Sequence, residues 1–241
     1  MPVQQDECKN ATGRGLFTKT ARIAVLTGCG SALLLAAAFP TYFPATSEFS
    51  QEKVINAVLA KANSEANLKG ATKDGICAMV TIQWLIQSIA KGGGAAGFAE
   101  LTKQDVTKPA GMAFWTQMLG GFKAYIENTD GLLSAGSTTG RRSEIMELLS
   151  RNQHKLKVVG AATTATEFDK LIATGGPYFY LAVITPQGGH AIGVERATNG
   201  EITLEDPNYG LTAAHPAGPL FTDMVAAYHA SKVYVLEVVK V

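Results

Sequence analysis

Residues 76–90 hold only four clearly polar side chains, Thr81, Gln83, Gln87 and Ser88, among Ile, Met, Val, Trp, Leu and Ala. A segment this long is too extended for an ordinary strand, and its apolar residues are not confined to one stripe. It reads as a helix buried on most sides, so other elements must pack around it. Asp74 and Gly75 stand where a helix start favours a short polar residue or glycine. Lys91 and the run Gly92-Gly93-Gly94 supply the stop. Cys77 falls in the first turn, where the positive end of the helix macrodipole favours thiolate over thiol. The competing reading of Cys77 is a small buried apolar side chain, the commonest setting for a free cysteine.

The chain around this helix is long enough to bury it. Of 241 residues 46% are hydrophobic and 17% charged, a globular composition with material for one well-buried core. A formal net charge of +1 argues against a nucleic-acid or membrane-surface protein driven by bulk charge. No Cys-x-x-Cys or His/Cys cluster points to a metal, and nothing in the pattern asks for a cofactor. Of the three cysteines, Cys8 and Cys29 lie in the N-terminal part, which leaves Cys77 alone in the expected folded domain. A single cysteine followed by histidine and aspartate is a candidate nucleophile.

Three segments are expected. Residues 1–22 form a polar, basic leader, with Lys9, Arg14, Lys19 and Arg22. The segment 23–45 contains an apolar run at 23–39, laid out like a signal peptide or a membrane anchor, and membrane association through that run is one expectation. The alternative is a buried Ala/Leu helix of the domain. Leu26-Thr27-Gly28-Cys29 looks like a lipoprotein box, but its greasiest residues follow the cysteine rather than precede it. Residues 46–241 form the folded domain, expected to be a monomer.

Within that domain, helices come first. A helix starting near Ser47 or Ser50 carries Val54, Ile55, Val58 and Leu59 at helical spacing. After the Cys77 helix and a Gly-rich stretch at 92–97 comes a helix over about 111–128, then a Gly/Ser/Thr loop at 128–142. A short helix at 143–151, a short strand at 155–159 and an amphipathic helix at 164–173 follow. The pattern then turns extended. Residues 178–185, 190–197, 201–205 and 232–240 are rich in β-branched and aromatic residues. Pro186-Gln187-Gly188-Gly189 and Thr198-Asn199-Gly200 are turn sequences, so the first three of these strands form an antiparallel meander. The expectation is an α+β fold, a helical layer on a roughly four-stranded antiparallel sheet.

His190 stands at the start of its strand and Asp206 at the end of the next. If Thr198-Asn199-Gly200 reverses the chain, the two are cross-strand neighbours at one sheet edge. A carboxylate there would hold an imidazole in one tautomer, its other nitrogen aimed at a nucleophile such as Cys77. Asp206-Pro207-Asn208-Tyr209-Gly210 is also a good turn sequence, with Asn208 and Tyr209 as braces. His154, His215 and His229 are expected on solvated faces or loops, and Trp84 and Trp115 in the core.

Gly75-Ile76-Cys77 with Trp84, Gly189-His190-Ala191-Ile192-Gly193 and Asp206-Pro207-Asn208-Tyr209-Gly210 resemble, in order and spacing, the YopT/AvrPphB family of bacterial effector cysteine proteases. The resemblance covers roughly residues 50–241, and the Asp-Pro-Asn-Tyr-Gly string is its most specific part. It implies a papain-like fold with Cys77 as nucleophile, His190 as general base then acid, and Asp206 as the orienting group. It further implies a protein substrate, a host small GTPase or kinase among them, and secretion into a host cell. A free thiol tolerates a reducing cytosol, which agrees with that destination. The Cys77 N–H at the helix start would supply one oxyanion donor. The second, usually an upstream Asn or Gln, has only Asn67 and Thr72 as nearby candidates. Two other functions fit the same residues: a glutamine deamidase or transglutaminase-like acyl transferase, and a catalytically idle, membrane-tethered binding module.

Overall fold

A computed structural model describes residues 45–61, 76–128, 149–186 and 188–241. The elements run β1 (Ala45–Glu48), α1 (Gln51–Lys61), α2 (Cys77–Lys91), α3 (Gly94–Thr102), α4 (Pro109–Asn128), β2 (His154–Ala162), α5 (Ala165–Ala173), β3 (Tyr178–Thr185), β4 (Gly188–Arg196), β5 (Ile202–Asp206), β6 (Gly210–Thr212), α6 (Ala217–Tyr228) and β7 (Lys232–Lys240). The expected leader at 1–22, the apolar run at 23–39, the polar stretch after α1 and the loop at 129–142 lie outside the described residues. Of the short helix expected at 143–151, only its end at 149–151 is described, and it is helical. No helix among the described residues is long and apolar enough to cross a membrane.

The fold is α+β, built on one antiparallel sheet. The sheet has seven strands in the order β1-β6-β5-β4-β3-β7-β2, not the four expected. The four read from the sequence are its β5-β4-β3-β7 centre. The short strand expected at 155–159 runs from His154 to Ala162 and lies at one edge, while β1 and β6 lengthen the other. With three or four residues each, β1 and β6 are too short to show any alternation. The meander holds: Ala197 and Gly200 close the β4–β5 turn through Ala197 N–H to Glu201 O at 2.8 Å and Gly200 N–H to Ala197 O at 3.0 Å.

Helices cover both faces of the sheet rather than one. Along β3, Tyr180 and Ala182 pack into the cluster that contains Val80, Trp84 and Leu85 of α2 and Phe98 and Leu101 of α3. Their neighbours Phe179, Leu181 and Val183 point the other way, into a second cluster with Phe168 and Ile172 of α5 and Leu220, Phe221 and Met224 of α6. The strands therefore have two apolar faces and read as nearly continuous hydrophobic runs. Trp84 and Trp115 are core residues, 0% and 1% exposed.

Helix α2 is the centre of its layer, as its composition requires. Val80, Ile82, Trp84 and Leu85 are wholly buried. Gly92 ends it in a left-handed conformation with its N–H on Ser88 O. The glycines that follow do not form a loop, because Gly94 already opens α3. A Cβ at Gly97 would lie 2.3 Å from Ser88 Oγ, so glycine there is what lets α3 cross α2 at backbone contact. The capping box of Thr164 and Glu167 starts α5, as the pattern at 164–173 indicates.

The contact that matters most for the site is between α2 and β4. A Cβ at Gly193 would stand 2.4 Å from Trp84 Cε3 and 2.5 Å from Cζ3, both atoms of a rigid, wholly buried ring. Gly193→Ala must push α2 off the sheet, with a loss of about 2 kcal/mol of stability, the usual cost of overpacking a core. A guanidinium denaturation midpoint lowered at unchanged slope would show it; an unchanged midpoint would mean that the indole is not seated on this backbone.

Candidate functional site

Strands β4 and β5 pair from Arg196↔Ile202 to Gly193↔Glu205 and then part. Beyond that point β4 continues alongside β3 through His190↔Val183, while β5 continues alongside β6 through Asp206↔Gly210. The N-terminus of α2 sits at this opening. His190 and Asp206 lie on neighbouring strands at this opening but are not directly opposite each other. Asp206 would face Ile192 if the ladder continued, and the two side chains meet on the diagonal. They still meet: His190 Nε2 lies 3.0 Å from Asp206 Oδ1.

Cys77 is the first residue of α2 and its thiol is hydrogen bonded to the His190 ring. Because Nε2 is taken by Asp206, the nitrogen left for sulfur is Nδ1. The three side chains that the sequence singled out are therefore in one place, in the order Cys77–His190–Asp206. Exposure falls along that order, with Cys77 at 8%, His190 at 5% and Asp206 at 0%. Gly188 and Gly189, immediately before His190, are exposed, and nothing among the described residues lies within 4 Å of where their Cβ atoms would be.

The electrostatics follow from this layering. Burial pushes the Cys77 thiol up, but the His190 charge and hydrogen bond, with the backbone N–H groups of Ala191 and Ala78, outweigh it and hold the thiol below its ordinary value. Burial alone would lower His190; the charges of Asp206 and of Cys77 as thiolate, with a hydrogen bond to each, raise it well above its ordinary 6.5. The favoured state of the pair is thiolate beside imidazolium.

Asp206 is held from three sides. Its Oδ1 accepts from His190 and from the backbone N–H of Asn208 at 2.9 Å, and its Oδ2 accepts from the Tyr228 hydroxyl at 2.5 Å. Tyr209 N–H to Asp206 O at 2.9 Å closes the turn, so Asn208 and Tyr209 brace this loop as expected. Tyr228 also stacks on the His190 ring, centroids 4.6 Å apart at 28°. Burial and the Asp206 charge push the Tyr228 phenol well above 10, so it stays a donor.

Two further groups were not foreseen. Gln51 at the start of α1 is 5% exposed; its Oε1 accepts from Ile76 N–H at 2.8 Å and its Nε2 donates to Asn208 Oδ1 at 2.7 Å. It therefore stands beside the helix start, where Asn67 and Thr72 had been considered; those two lie outside the described residues, as do Asp74 and Gly75. The N-cap of α2 is Ile76, whose own side chain makes no capping hydrogen bond. Glu205 is wholly buried on the α2 side, its Oε2 accepting from Thr81 Oγ1 at 3.2 Å and its Oε1 without a hydrogen-bond partner among the described residues. The other histidines are elsewhere: His154 opens the edge strand β2 opposite Lys240, His215 bridges Ile202 through its backbone, and His229 is the left-handed residue that ends α6. Among the described residues no group of three His, Cys, Asp or Glu side chains is disposed to hold a metal.

No family model and no curated protein matches this chain. Among solved structures it is similar to the Pseudomonas avirulence protein AvrPphB, a namesake of the family that the motifs resemble. The likeness has a TM-score of 0.46 and 17% identity, over 72% of this chain and 94% of that one. It is also similar to PatoxP, a cysteine protease-like domain of the Photorhabdus asymbiotica toxin PaTox, with a TM-score of 0.31 and 14% identity, over 78% of this chain and 59% of that one.

Burial, first, and the neighbouring Asp206 charge raise Glu205 well above 4.5. A group whose folded value is raised stabilises fully below its unfolded value and loses that contribution as pH climbs toward the folded value. Glu205→Gln keeps the shape without the proton, so the variant should match the parent in melting temperature near pH 4 and exceed it increasingly as pH rises to about 8. Equal melting temperatures across that range would show that Glu205 is not a buried neutral acid.

Proposed function

We propose that this protein is a cysteine endopeptidase in which Cys77 is the nucleophile, His190 the acid–base and Asp206 the group that orients the imidazole. The observation that carries this reading is the buried hydrogen-bonded series Cys77–His190–Asp206 at the N-terminus of α2, with the carboxylate wholly shielded from water. A helix start of this kind presents a thiolate with positive charge on both sides, the imidazolium and the helix dipole.

The chemistry follows atom by atom. Cys77 Sγ attacks the scissile carbonyl carbon and a C–S bond forms as the carbonyl π pair moves to oxygen. The N–H of Cys77, among the uncapped groups of the first turn, faces that oxyanion. Gln51 uses one amide hydrogen on Asn208; its other is the donor best placed to join it. His190 Nδ1–H then gives its proton to the departing amine as the C–N bond breaks, leaving a thioester. Water loses a proton to Nδ1 and attacks the thioester carbon. The C–S bond breaks, the product leaves as a carboxylic acid, and thiolate and imidazolium are restored. Throughout, Asp206 keeps Nε2–H engaged and stabilises the imidazolium without taking its proton.

The exposed Gly188-Gly189 pair leaves the approach to His190 open for a polypeptide. The reading extends, through the motif resemblance, to a host protein substrate such as a small GTPase or kinase and to a protein secreted into a host cell. An amine in place of water at the second step would make the same thioester serve a transglutaminase-like transfer, and a side-chain amide in place of a peptide bond a deamidation.

Intact mass of the full chain after brief exposure to E-64 or iodoacetamide tests the pair. One adduct at Cys77 should form rapidly, be absent in Cys77→Ala, and form about a hundredfold more slowly in His190→Ala at about pH 6. Labelling no faster than an ordinary thiol and indifferent to loss of His190 would overturn the protease reading and favour the idle binding module.

A further inference from the structure

Between the start of α2 and the Asp206 carboxylate runs a series of four hydrogen bonds through three side chains from three parts of the chain. Ile76 N–H meets Gln51 Oε1 at 2.8 Å, Gln51 Nε2 meets Asn208 Oδ1 at 2.7 Å, Asn208 Nδ2 meets the Tyr228 hydroxyl at 3.2 Å, and that hydroxyl meets Asp206 Oδ2 at 2.5 Å. The series has only one direction. A backbone N–H can only donate, so the Gln51 oxygen must face Ile76 and its nitrogen must face Asn208. Asn208 then presents its oxygen to Gln51 and its nitrogen to Tyr228. The phenol has one proton, and with a donor already on its oxygen that proton goes to Asp206. An ionised carboxylate is acceptor-only, so the far end demands the same direction as the near end.

We propose that Gln51, Asn208 and Tyr228 form a one-way hydrogen-bonded chain that fixes the Asp206 carboxylate relative to the Cys77 helix, with Tyr228 as its terminal positioning residue. This rests on the protease reading of Cys77, His190 and Asp206. The chain connects the two bodies that must stay in register, α2 with the nucleophile and the β5–β6 turn with the carboxylate. Gln51 N–H to Pro207 O at 2.7 Å ties the same turn to α1 a second time. Tyr228 acts on both partners, since its hydroxyl holds Oδ2 while its ring lies flat on His190. Both oxygens of Asp206 are thereby engaged, and the carboxylate cannot turn its Oδ1 away from Nε2 without breaking a buried bond.

The titratable groups around Asp206 and His190 are Cys77 from α2, Glu205 from β5 and Tyr228 from α6, with Tyr209 of the turn beside Tyr228. Of these, Tyr228 donates to Oδ2. Tyr228→Phe keeps the stacked ring and deletes that donor, which favours the ionised carboxylate. The pair should then collapse at a higher pH on the acid side, while its plateau is little changed. A purely structural role would lower the melting temperature and leave the profile in place.

The experiment is the pH profile of iodoacetamide labelling of Cys77, measured on the full chain for the parent, Tyr228→Phe and Gln51→Glu. Gln51→Glu retains the acceptor for Ile76 N–H and removes the donor to Asn208, so it breaks the chain at its other end. The expected result is an acid flank moved upward by roughly one pH unit in Tyr228→Phe, with a smaller shift of the same sign in Gln51→Glu. A parent profile with fast labelling but variants superimposed on it would overturn this inference and leave the protease reading standing. A parent that labels like a free thiol would overturn both. If Tyr228→Phe fails to fold, the profile of Gln51→Glu decides alone.

Discussion

The Trp84 indole lies against the backbone of Gly193, and this contact sets how near α2 can come to the sheet. Cys77 is two turns before Trp84 on the same helix, and His190 is three residues before Gly193 on the same strand. Seating one pair in the core therefore seats the other at the mouth of the β4–β5 opening. The site needs no precise loop to bring nucleophile and base together; two regular elements carry them, and the apolar packing of α2 on β3 and β4 holds those elements in place.

Electrostatics then decide what the assembled groups are. A buried thiol on its own would be an inert apolar side chain, and a buried imidazole on its own would be neutral. Placed together with a shielded carboxylate behind them, each reverses the other's burial penalty, so thiol falls and imidazole rises. The wholly buried Glu205 beside Asp206 is the counterexample within the same few ångströms. Burial and the Asp206 charge raise it well above the usual carboxylate range, and its Oε1 has no hydrogen-bond partner among the described residues. Of the two adjacent carboxyl groups, Asp206 has donors on both oxygens and Glu205 on one among the described residues.

Much of this was legible in the sequence. The apolar run 76–90, the strands bounded by glycine and asparagine turns, and the placement of His190 and Asp206 at strand ends all follow from local patterns. The register did not: turn chemistry indicates that β4 and β5 pair but not that they part at Gly193↔Glu205, which makes the His190–Asp206 contact diagonal. Nor did α3, because Gly94 and Gly97 read as loop when the second is in fact a helix crossing point. Gln51 and Tyr228 left no local signal at all. Each is an ordinary helix residue, and each acquires its place only when α1 meets the β5–β6 turn and α6 packs on the face of the sheet opposite α2.

The central claim, that Cys77 and His190 rest as thiolate and imidazolium, is tested most directly by ultraviolet thiolate absorbance across pH, as the difference between the full chain and Cys77→Ala. Thiolate signal should appear below the ordinary thiol range, and in His190→Ala should appear only at or above about pH 8.5. A parent curve that rises only near that ordinary thiol value would contradict the account, because it would show a cysteine that its neighbours leave unactivated.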